Sequence, residues 1–245
     1  MSSEPFTVVV TSCRRFDLLR VTLESLNAML DERPERAIVI EDSDDDAVRD
    51  VVARSFPDAE VVLNAERLGQ MASIDKAFGL VTSSLIFHCE DDWRFTRGGF
   101  IGASRLLLDA LPDISMVGLR ARDELNPLLR ARPDIDAHGV RHFLTDPTAH
   151  PEYFSHSFNP GLRRLADYRR IGPYAPLGHE ADVSYAYKKA GFRMAYLSEP
   201  VISHIGGGRH VDDPRGPKRP TGPLQRAARS IQKRVKRARR ALAGA

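Results

Sequence analysis

The sequence has little cysteine and no long apolar run, and each shortage excludes a class of protein. Its 245 residues include two cysteines, Cys13 and Cys89, too few for a disulfide scaffold or a multi-cysteine zinc module. No apolar run approaches the roughly 18–20 residues that cross a bilayer. The N-terminal segment carries Glu4 and no basic residues before its short apolar stretch, unlike a secretory signal. These features predict a cytoplasmic protein.

Two glycine-rich nucleotide motifs, the P-loop and G-x-G-x-x-G, are also missing from the sequence. Their lack argues against an ATPase or a dehydrogenase. A metal-dependent phosphohydrolase on a similar sheet would place a nucleophilic Asp after the first strand. This chain has Thr11, Ser12 and Cys13 at that place, which argues against that class too.

Acidic residues are absent from the last 31 positions. Residues 215–245 carry eleven Lys or Arg and no Asp or Glu, so the net charge of +3 for the whole chain leaves −8 for residues 1–214. The excess of basic residues therefore lies in the tail. The pI of the whole chain is no evidence that residues 1–214 bind nucleic acid.

The apolar residues that are present alternate between two patterns. Short, largely apolar runs followed by polar or acidic residues predict strands buried on both faces, and longer segments with helical spacing predict helices between them. The predicted strands are 6–10, 37–40, 60–63 and 85–87, and the predicted helices are 17–30, 46–56 and 71–81. This order predicts an α/β fold with a mainly parallel sheet, in which ligands bind at the carboxyl ends of the strands.

The second half is less regular. Residues 98–111 and 185–190 have helical spacing, and 114–119 and 194–203 resemble strands. Residues 120–160 show no clear period. In that stretch His138, His142, Tyr153, Phe154, His156 and Phe158 are equally compatible with an acceptor site and with a lid packed on the sheet.

Three consecutive carboxylates, Glu90, Asp91 and Asp92, follow the fourth predicted strand. Such a cluster is either solvated or neutralised by a cation, and Mg²⁺ or Mn²⁺ commonly bridges carboxylates to substrate phosphates. Because a buried strand precedes the cluster and Trp93 follows it, the sequence favours the cation site.

Other polar residues are ambiguous by themselves. Asp42, at the end of the second strand, is a candidate for contacting a nucleoside. Glu180 and Asp182 begin a predicted helix and are either caps or a general base. His204 matters only if the fold brings it to the first acidic cluster.

At these motifs the chain resembles the GT-A glycosyltransferases, in particular the inverting glycosyltransferase family 2. Residues 8–15 resemble the family's opening strand and nucleotide loop, and residues 38–43 its second strand. Residues 64–77 are similar to its Asn-x-Gly-rich helix start, and 90–92 occupy the place of its metal-binding DxD motif. The resemblance covers roughly residues 5–205. It implies a single GT-A, Rossmann-like domain.

The resemblance implies roles for individual residues. Asp92 ligates the metal that holds the diphosphate, with Glu90 in the same motif and His204 completing the site. Glu180, eleven residues before Gly191, has the position of the base, and Asp182 is the reserve candidate. The residues implied to bind the nucleotide sugar are Thr11, Ser12, Cys13, Arg14, Asp42, Asp75 (where the family customarily has Asn) and Asp91.

The implied activity is that of an inverting, hexosyltransferase-type enzyme. With Mn²⁺ or Mg²⁺, a sugar would pass from a nucleotide-diphosphate sugar to a hydroxyl of a glycan or lipid-linked saccharide. The alternative is a catalytically inactive nucleotide-sugar-binding or scaffold protein of the same fold.

We predict three segments: a catalytic domain over 1–205, a Gly/Pro-rich linker over 206–222 and a basic amphipathic tail over 223–245. Within the domain, 1–95 is the nucleotide-binding half and 96–205 the acceptor half. The tail places Leu224, Ile231, Val235, Ala238 and Leu242 near one helical face. Basic amphipathic helices bind anionic membranes, so we expect peripheral attachment at the inner face of the cell membrane. A solvated tail and, less favoured, nucleic-acid contact are the alternatives.

Overall fold

The structure is a computed structural model that describes residues 4–209, 211–212, 214 and 222–243. Much of the predicted linker lies outside these residues, as do the side chains of Leu224 and Leu242. The helices are α1 (Phe16–Met29), α2 (Val48–Ser55), α3 (Gln70–Phe78), α4 (Phe100–Ala110), α5 (Pro127–Arg130), α6 (Leu165–Ile171), α7 (Glu180–Lys189) and α8 (Pro223–Ala243). The strands are β1 (Phe6–Ser12), β2 (Arg36–Glu41), β3 (Ala59–Leu63), β4 (Leu85–Glu90), β5 (Trp93–Phe95), β6 (Ile114–Gly118), β7 (Ile135–Ala137), β8 (Val140–Leu144), β9 (Gly161–Arg164), β10 (Arg193–Leu197) and β11 (Ile202–His204).

Nine strands form one sheet in the order β3-β2-β1-β4-β9-β6-β10-β8-β7. The first four strands of this order are parallel to one another, and β10 is parallel to β6. In contrast, β9 is antiparallel to both β4 and β6, and β8 is antiparallel to β10 and β7. The predicted α/β fold with a mostly parallel sheet flanked by helices is confirmed.

Burial on both faces explains the short apolar runs of the first half. In β1, Val8 and Val10 pack in the layer that contains α1, while Val9 points to the opposite layer that contains α3. All seven residues of β1 are buried. Neither face is available to solvent, which is why these strands are continuously apolar rather than alternating.

The parallel strands end at one edge of the sheet. The register pairs Ser12 of β1 with Glu41 of β2, and Thr11 with Glu90 of β4. The polar residues that follow these strands therefore meet, as the sequence predicts.

The second half departs from the predicted elements. The predicted strand 194–203 is wrong as one element: β10 ends at Leu197 and β11 begins at Ile202. Pro200 lies between them and has no N–H to donate to a ladder. β11 instead pairs with β5 in a separate two-stranded sheet, in which His204 lies opposite Trp93. That pairing brings residues 202–204 back to the acidic cluster.

Candidate active site

A cavity of about 230 Å³ opens at the carboxyl ends of β1, β2 and β4. Its walls combine the loop after β1, the start of α3, the acidic cluster and a late segment of the chain. The lining residues are Thr11, Ser12, Cys13, Arg15, Asp42, Arg67, Gly69, Gln70, Ser73, Glu90, Asp91, Asp92, Val211 and Asp212.

Asp42 holds the loop that leads into α3. Its buried carboxylate accepts hydrogen bonds from the backbone N–H of Leu68 at 2.6 Å and of Gly69 at 2.9 Å. The side-chain amide of Asn64 donates a third at 3.0 Å. Gly69 has a φ of 87°, which a residue with a Cβ adopts at a cost. Asp42 thus shapes this wall of the cavity as well as lining it.

Arg15 neutralises two members of the acidic cluster. Its guanidinium pairs with Asp92 at 2.7 Å and with Asp91. Both carboxylates are buried. The turn that carries them is fixed from α1, where the Thr22 hydroxyl donates to the Asp91 carbonyl at 2.8 Å and accepts from Trp93 N–H at 3.1 Å.

Ionisation of the carboxylates in the acidic cluster has an electrostatic cost. Burial, together with the charges of Asp92 and Glu180, raises the pKa of Glu90 to about 8. Burial also raises the pKa of Asp91 to about 6, although Arg15 opposes the shift. A bound cation would relieve this cost, because it favours the ionised carboxylates.

The β5–β11 pairing places His204 next to Asp92. Nε2 of His204 lies 3.3 Å from Oδ2 of Asp92. Gly206 leaves space beside the pair, since a Cβ there would lie 2.7 Å from the Asp92 oxygen and 2.9 Å from the His204 nitrogen. An imidazole nitrogen and a carboxylate oxygen around such a space fit a divalent ion that keeps open positions for phosphate oxygens and water.

The side chains do not form a complete metal cage. Across the described parts of the chain, no group of three or more His, Cys, Asp or Glu is arranged to hold an ion. Glu90 turns to other partners: it accepts from Gln70 at 2.6 Å and from the Trp93 indole at 3.4 Å. The pair formed by Asp92 and His204 is therefore the strongest candidate ligand set.

The predicted nucleotide-binding residues fall into two groups. Thr11, Ser12 and Cys13 line the cavity. Arg14 is exposed and pairs with Asp44 at 2.8 Å, and Asp75 lies away from the cavity lining. The Asp75 carboxylate instead accepts hydrogen bonds from the Tyr168 hydroxyl and two backbone N–H groups of the segment after α6, so the structure gives it an internal bracing contact.

The two base candidates differ in what they touch. Glu180 is exposed at the start of α7 and accepts from the Ser157 hydroxyl at 2.9 Å and from Phe158 N–H at 3.1 Å. Asp182 is buried and ion-paired with Lys236 and Arg240 of α8. The structure therefore leaves Glu180 accessible and covers Asp182.

The aromatic candidates for acceptor binding are mostly internal. His142, Phe154, His156 and Phe158 are buried, while His138 is exposed and Tyr153 half-buried. Buried rings pack within the protein and offer no face to a sugar. The packing of residues 120–160 therefore favours a lid packed on the sheet over an acceptor site.

Arginine and glutamine residues of the cavity were not predicted from the sequence. Arg15, Arg67 and Gln70 all face it. The sequence contained one usable signal, since a basic residue beside a strand end in an acidic body is a candidate charge partner. It could not show which of Arg14 and Arg15 turns inward, because adjacent loop residues have no fixed period.

The profile of Glycosyl transferase family 2 matches residues 7–167, about two thirds of the chain. The chain belongs to this family. No curated protein sequence matches it.

Solved structures share the fold of this family member. One is the mannosyltransferase PcManGT from Pyrobaculum calidifontis in complex with GDP-Man and Mn²⁺, with a TM-score of 0.62 and 16% identity. It aligns with 98% of this chain and 65% of its own. Another is GalNAc-T7 with UDP, GalNAc and Mn²⁺, with a TM-score of 0.60, 12% identity and coverage of 83% and 44%. The chain thus spans less than two thirds of either structure, and at these identities they show the GT-A fold alone.

None of the helices in the described residues is long and apolar enough to cross a membrane.

Proposed function

We propose that this protein transfers a sugar, in a hexosyltransferase-type reaction, from a nucleotide-diphosphate sugar to an acceptor hydroxyl, with inversion and with a divalent metal. The observation that carries the proposal is the meeting of Asp92, His204 and the space beside Gly206 at the mouth of the nucleotide cavity. Residues 112 positions apart in the sequence come together there, through the pairing of β11 with β5.

The donor would lie across the strand ends. The cavity offers Thr11, Ser12 and the Asp42 wall to the nucleoside. Arg15 and Arg67 offer positive charge to the diphosphate. Arginine matches phosphate oxygens through paired donors. Asp91, which also lines the cavity, would face the ribose or the sugar.

Asp92 and His204 would hold Mn²⁺ or Mg²⁺, with Glu90 at the rim of the same cluster. When bound, the ion supplies positive charge that stabilises the nucleoside diphosphate as it leaves. PcManGT and GalNAc-T7 are both complexed with Mn²⁺ in their solved structures, which supports the choice of metal. Arg15 pairs with Asp91 and Asp92. Its guanidinium would therefore add a second positive charge beside the leaving diphosphate.

Glu180 would remove the proton of the acceptor hydroxyl. It is exposed, it is close enough to raise the pKa of Glu90, and the Ser157 hydroxyl and Phe158 N–H orient its Oε1. Its second oxygen remains to accept a proton. Asp182 is a weaker candidate because Lys236 and Arg240 stabilise its charged form and cover it. Attack from the face opposite the leaving group would invert the sugar.

The test is donor binding with and without Mn²⁺. Thermal shift and calorimetry against UDP, GDP, dTDP and CDP sugars should give a manganese-dependent signal with at least one of them. Asp92→Ala should abolish the metal-dependent part, and Gly206→Ala should weaken it by filling the space with a methyl group. Asp44→Ala, which removes an exposed carboxylate of the same loop region, should not change it.

The result also separates the enzyme from the inactive binding protein. In the latter, Arg15 would be the permanent counter-charge of the aspartates, and donor binding would be independent of Mn²⁺. Binding that ignores both Mn²⁺ and Asp92→Ala would overturn the metal-dependent proposal. For an active protein, the anomeric configuration of the product by NMR tests inversion.

We further propose that the acceptor is a glycan or lipid-linked saccharide and that α8 contacts an anionic membrane from the cytoplasmic side. Ile231 and Val235, one turn apart, are 61% and 45% exposed. The exposed Arg234 and Arg239 flank them. An apolar stripe bordered by cations suits an anionic bilayer, whereas nucleic-acid contact needs no such stripe.

Co-sedimentation with vesicles of phosphatidylglycerol and phosphatidylcholine tests this contact. The full chain should bind in proportion to anionic lipid, and Ile231→Asp with Val235→Asp should release it. Ser230→Asp adds a negative charge to the same helix without touching the two apolar side chains, and should weaken binding less. Binding that survives the double substitution, or that DNA competes away, would refute a membrane face.

A further inference from the structure

The C-terminal helix α8 is bound to the catalytic domain through two carboxylates. Arg237 pairs with Glu152 at 3.1 Å, and Lys236 pairs with Asp182 at 2.5 Å. Arg240 contacts both: it pairs with Glu152 at 2.8 Å and also with Asp182. Of these three cations, Arg240 alone bridges the two carboxylates. We call this set of ion pairs the tail clasp.

The centre of the tail clasp, formed by Glu152, Asp182 and Arg240, is desolvated, unlike most ion pairs of the surface. The side chains of Glu152, Asp182 and Arg240 are 7%, 9% and 15% exposed. The guanidinium of Arg240 also lies 4.3 Å from the centre of the Tyr185 ring. Exposed pairs contribute little to stability, but loss of one partner from a buried pair leaves an uncompensated charge and is strongly unfavourable.

The two carboxylates belong to the two segments that meet at Glu180. Glu152 begins the segment that continues to Ser157 and Phe158, which hydrogen-bond to Glu180. Asp182 lies in the first turn of α7, which Glu180 begins. Between these points the same segments are joined again, because Ser155 N–H donates to the Ser184 hydroxyl at 3.2 Å.

We propose that Arg240 is a positioning residue for Glu180, and that the tail is therefore a structural part of the acceptor side of the site. The inference rests on the proposed function, in which Glu180 is the base. Arg240 pulls Glu152 and Asp182 together, and this keeps the 152–158 segment aligned with the first turn of α7. The alignment sets where Ser157 and Phe158 hold the Glu180 carboxylate.

Without Arg240, two buried carboxylates face each other with one cation fewer. Lys236 and Arg237 each reach one carboxylate, so neither can replace the bridge. The 152–158 segment would move away from the first turn of α7. The Phe158 N–H would then lose its acceptor for part of the time. Displacements of about 1 Å at a reacting group can lower a rate by up to about 100-fold.

The first test needs no substrate. Hydrogen exchange followed by mass spectrometry on the full chain should show the backbone N–H groups of 155–159 exchanging about tenfold faster in Arg240→Met. Arg239→Met is the matched control, because it removes the adjacent cation of α8, which is exposed and outside the tail clasp. Glu180→Ala calibrates the measurement, since it removes the acceptor of Phe158 N–H.

A charge-balanced variant guards against unfolding. Glu152→Gln, Asp182→Asn and Arg240→Met together remove the ion pairs without leaving a buried charge, so the domain should fold while the bridge is lost. Equal protection of 155–159 in this variant, Arg240→Met and wild type would overturn the inference. Arg240→Lys should restore only part of the protection, because one ammonium lacks the paired donors of a guanidinium.

The second test measures whether Arg240 acts through Glu180. Release of nucleoside diphosphate from UDP-glucose and GDP-mannose, with Mn²⁺ and water as acceptor, should show a lower kcat and an unchanged KM in Arg240→Met. In a Glu180→Gln background the same substitution should have no further effect, since coupled residues are not additive. Full additivity would overturn the inference. A Glu180→Gln variant as active as wild type would instead refute the proposed base and leave the exchange result standing.

Discussion

The first half of the chain (residues 1–95) and the second half (residues 96–205) position their polar side chains in different ways. In the first half, β1, β2 and β4 end together, and Ser12, Asp42 and Asp91 are buried at that edge. In the second, Glu180 is exposed, and loop contacts and α8 hold its surroundings. The first arrangement is fixed by the sheet, whereas the second depends on contacts between distant segments.

This difference has a chemical counterpart. Substitutions at the sheet edge should affect donor and metal binding, because those side chains line the cavity. Substitutions around α7 should affect turnover, because Glu180 accepts hydrogen bonds from Ser157 and Phe158, which lie outside the lining of the cavity. The following predictions test that division, from the largest expected effect to the smallest.

Glu180→Gln should lower kcat by about 10²–10⁴-fold, the usual contribution of a general base. Glutamine keeps the size and the acceptor oxygen, so Ser157 and Phe158 retain their partner, but it cannot take up a proton. The affinity for the donor should stay within about twofold, measured by calorimetry alongside steady-state rates. Glu199→Gln, which changes an exposed glutamate elsewhere in the second half of the chain, is the control. A parallel loss of donor affinity would count against the division between the halves.

The first half of the fold and its acidic residues could be predicted from the sequence. Continuous apolar runs indicate parallel strands, and parallel strands that end together place Asp42 and Asp92 at one edge. The inward turn of Arg15 could not be predicted, since adjacent loop residues have no period. Strand β9 escaped prediction because it holds Arg163, which is buried among aromatic and histidine side chains, and charged residues seldom mark a central strand.

Contacts that link distant positions were also beyond sequence reasoning. His204 comes to Asp92 only because β11 pairs with β5, a pairing between two three-residue strands with little pattern of their own. Arg240 reaches Asp182 across 58 positions. The helical spacing of the tail predicts α8, but spacing within one helix carries no information about which carboxylates it meets.

Gly161→Ala should destabilise the protein by about 1–3 kcal/mol, the usual cost of overpacking. Gly161 is in β9, the antiparallel strand between the parallel blocks of the two halves. A Cβ there would lie 2.4 Å from the Val117 carbonyl oxygen and 2.6 Å from the end of Met116. Chemical denaturation measures the change in unfolding free energy.

The control for that substitution is Gly102→Ala in α4. A Cβ at Gly102 meets its nearest atom at 3.4 Å, and alanine favours a helix more than glycine does. This variant should be as stable as wild type or slightly more stable. Equal effects at Gly161 and Gly102 would mean that β9 accommodates the added methyl group. The strands on either side of β9 would then be able to move apart.

A buried histidine in the second half of the chain should make stability depend on pH. Burial and the nearby Arg163 guanidinium hold the pKa of His156 well below its ordinary value, and the ring stacks on Tyr187 at 4.5 Å between centres. The unfolded chain binds a proton near pH 6.5, while the folded chain does not. Stability is therefore complete above pH 6.5 and falls below it, by about 1.4 kcal/mol per pH unit for this one residue.

His156→Gln should remove that part of the slope, because glutamine does not titrate and its oxygen can still accept from Arg163. Urea denaturation at pH 7, 6 and 5 should show the free-energy difference between wild type and variant shrinking or reversing as the pH falls. His138→Gln, at an exposed position of the same half, should keep the wild-type dependence on pH. A difference between wild type and His156→Gln that stays constant from pH 7 to pH 5 would mean that the folded protein does not lower the pKa of His156. The fold of residues 96–205 would then not be built around a neutral imidazole at this position.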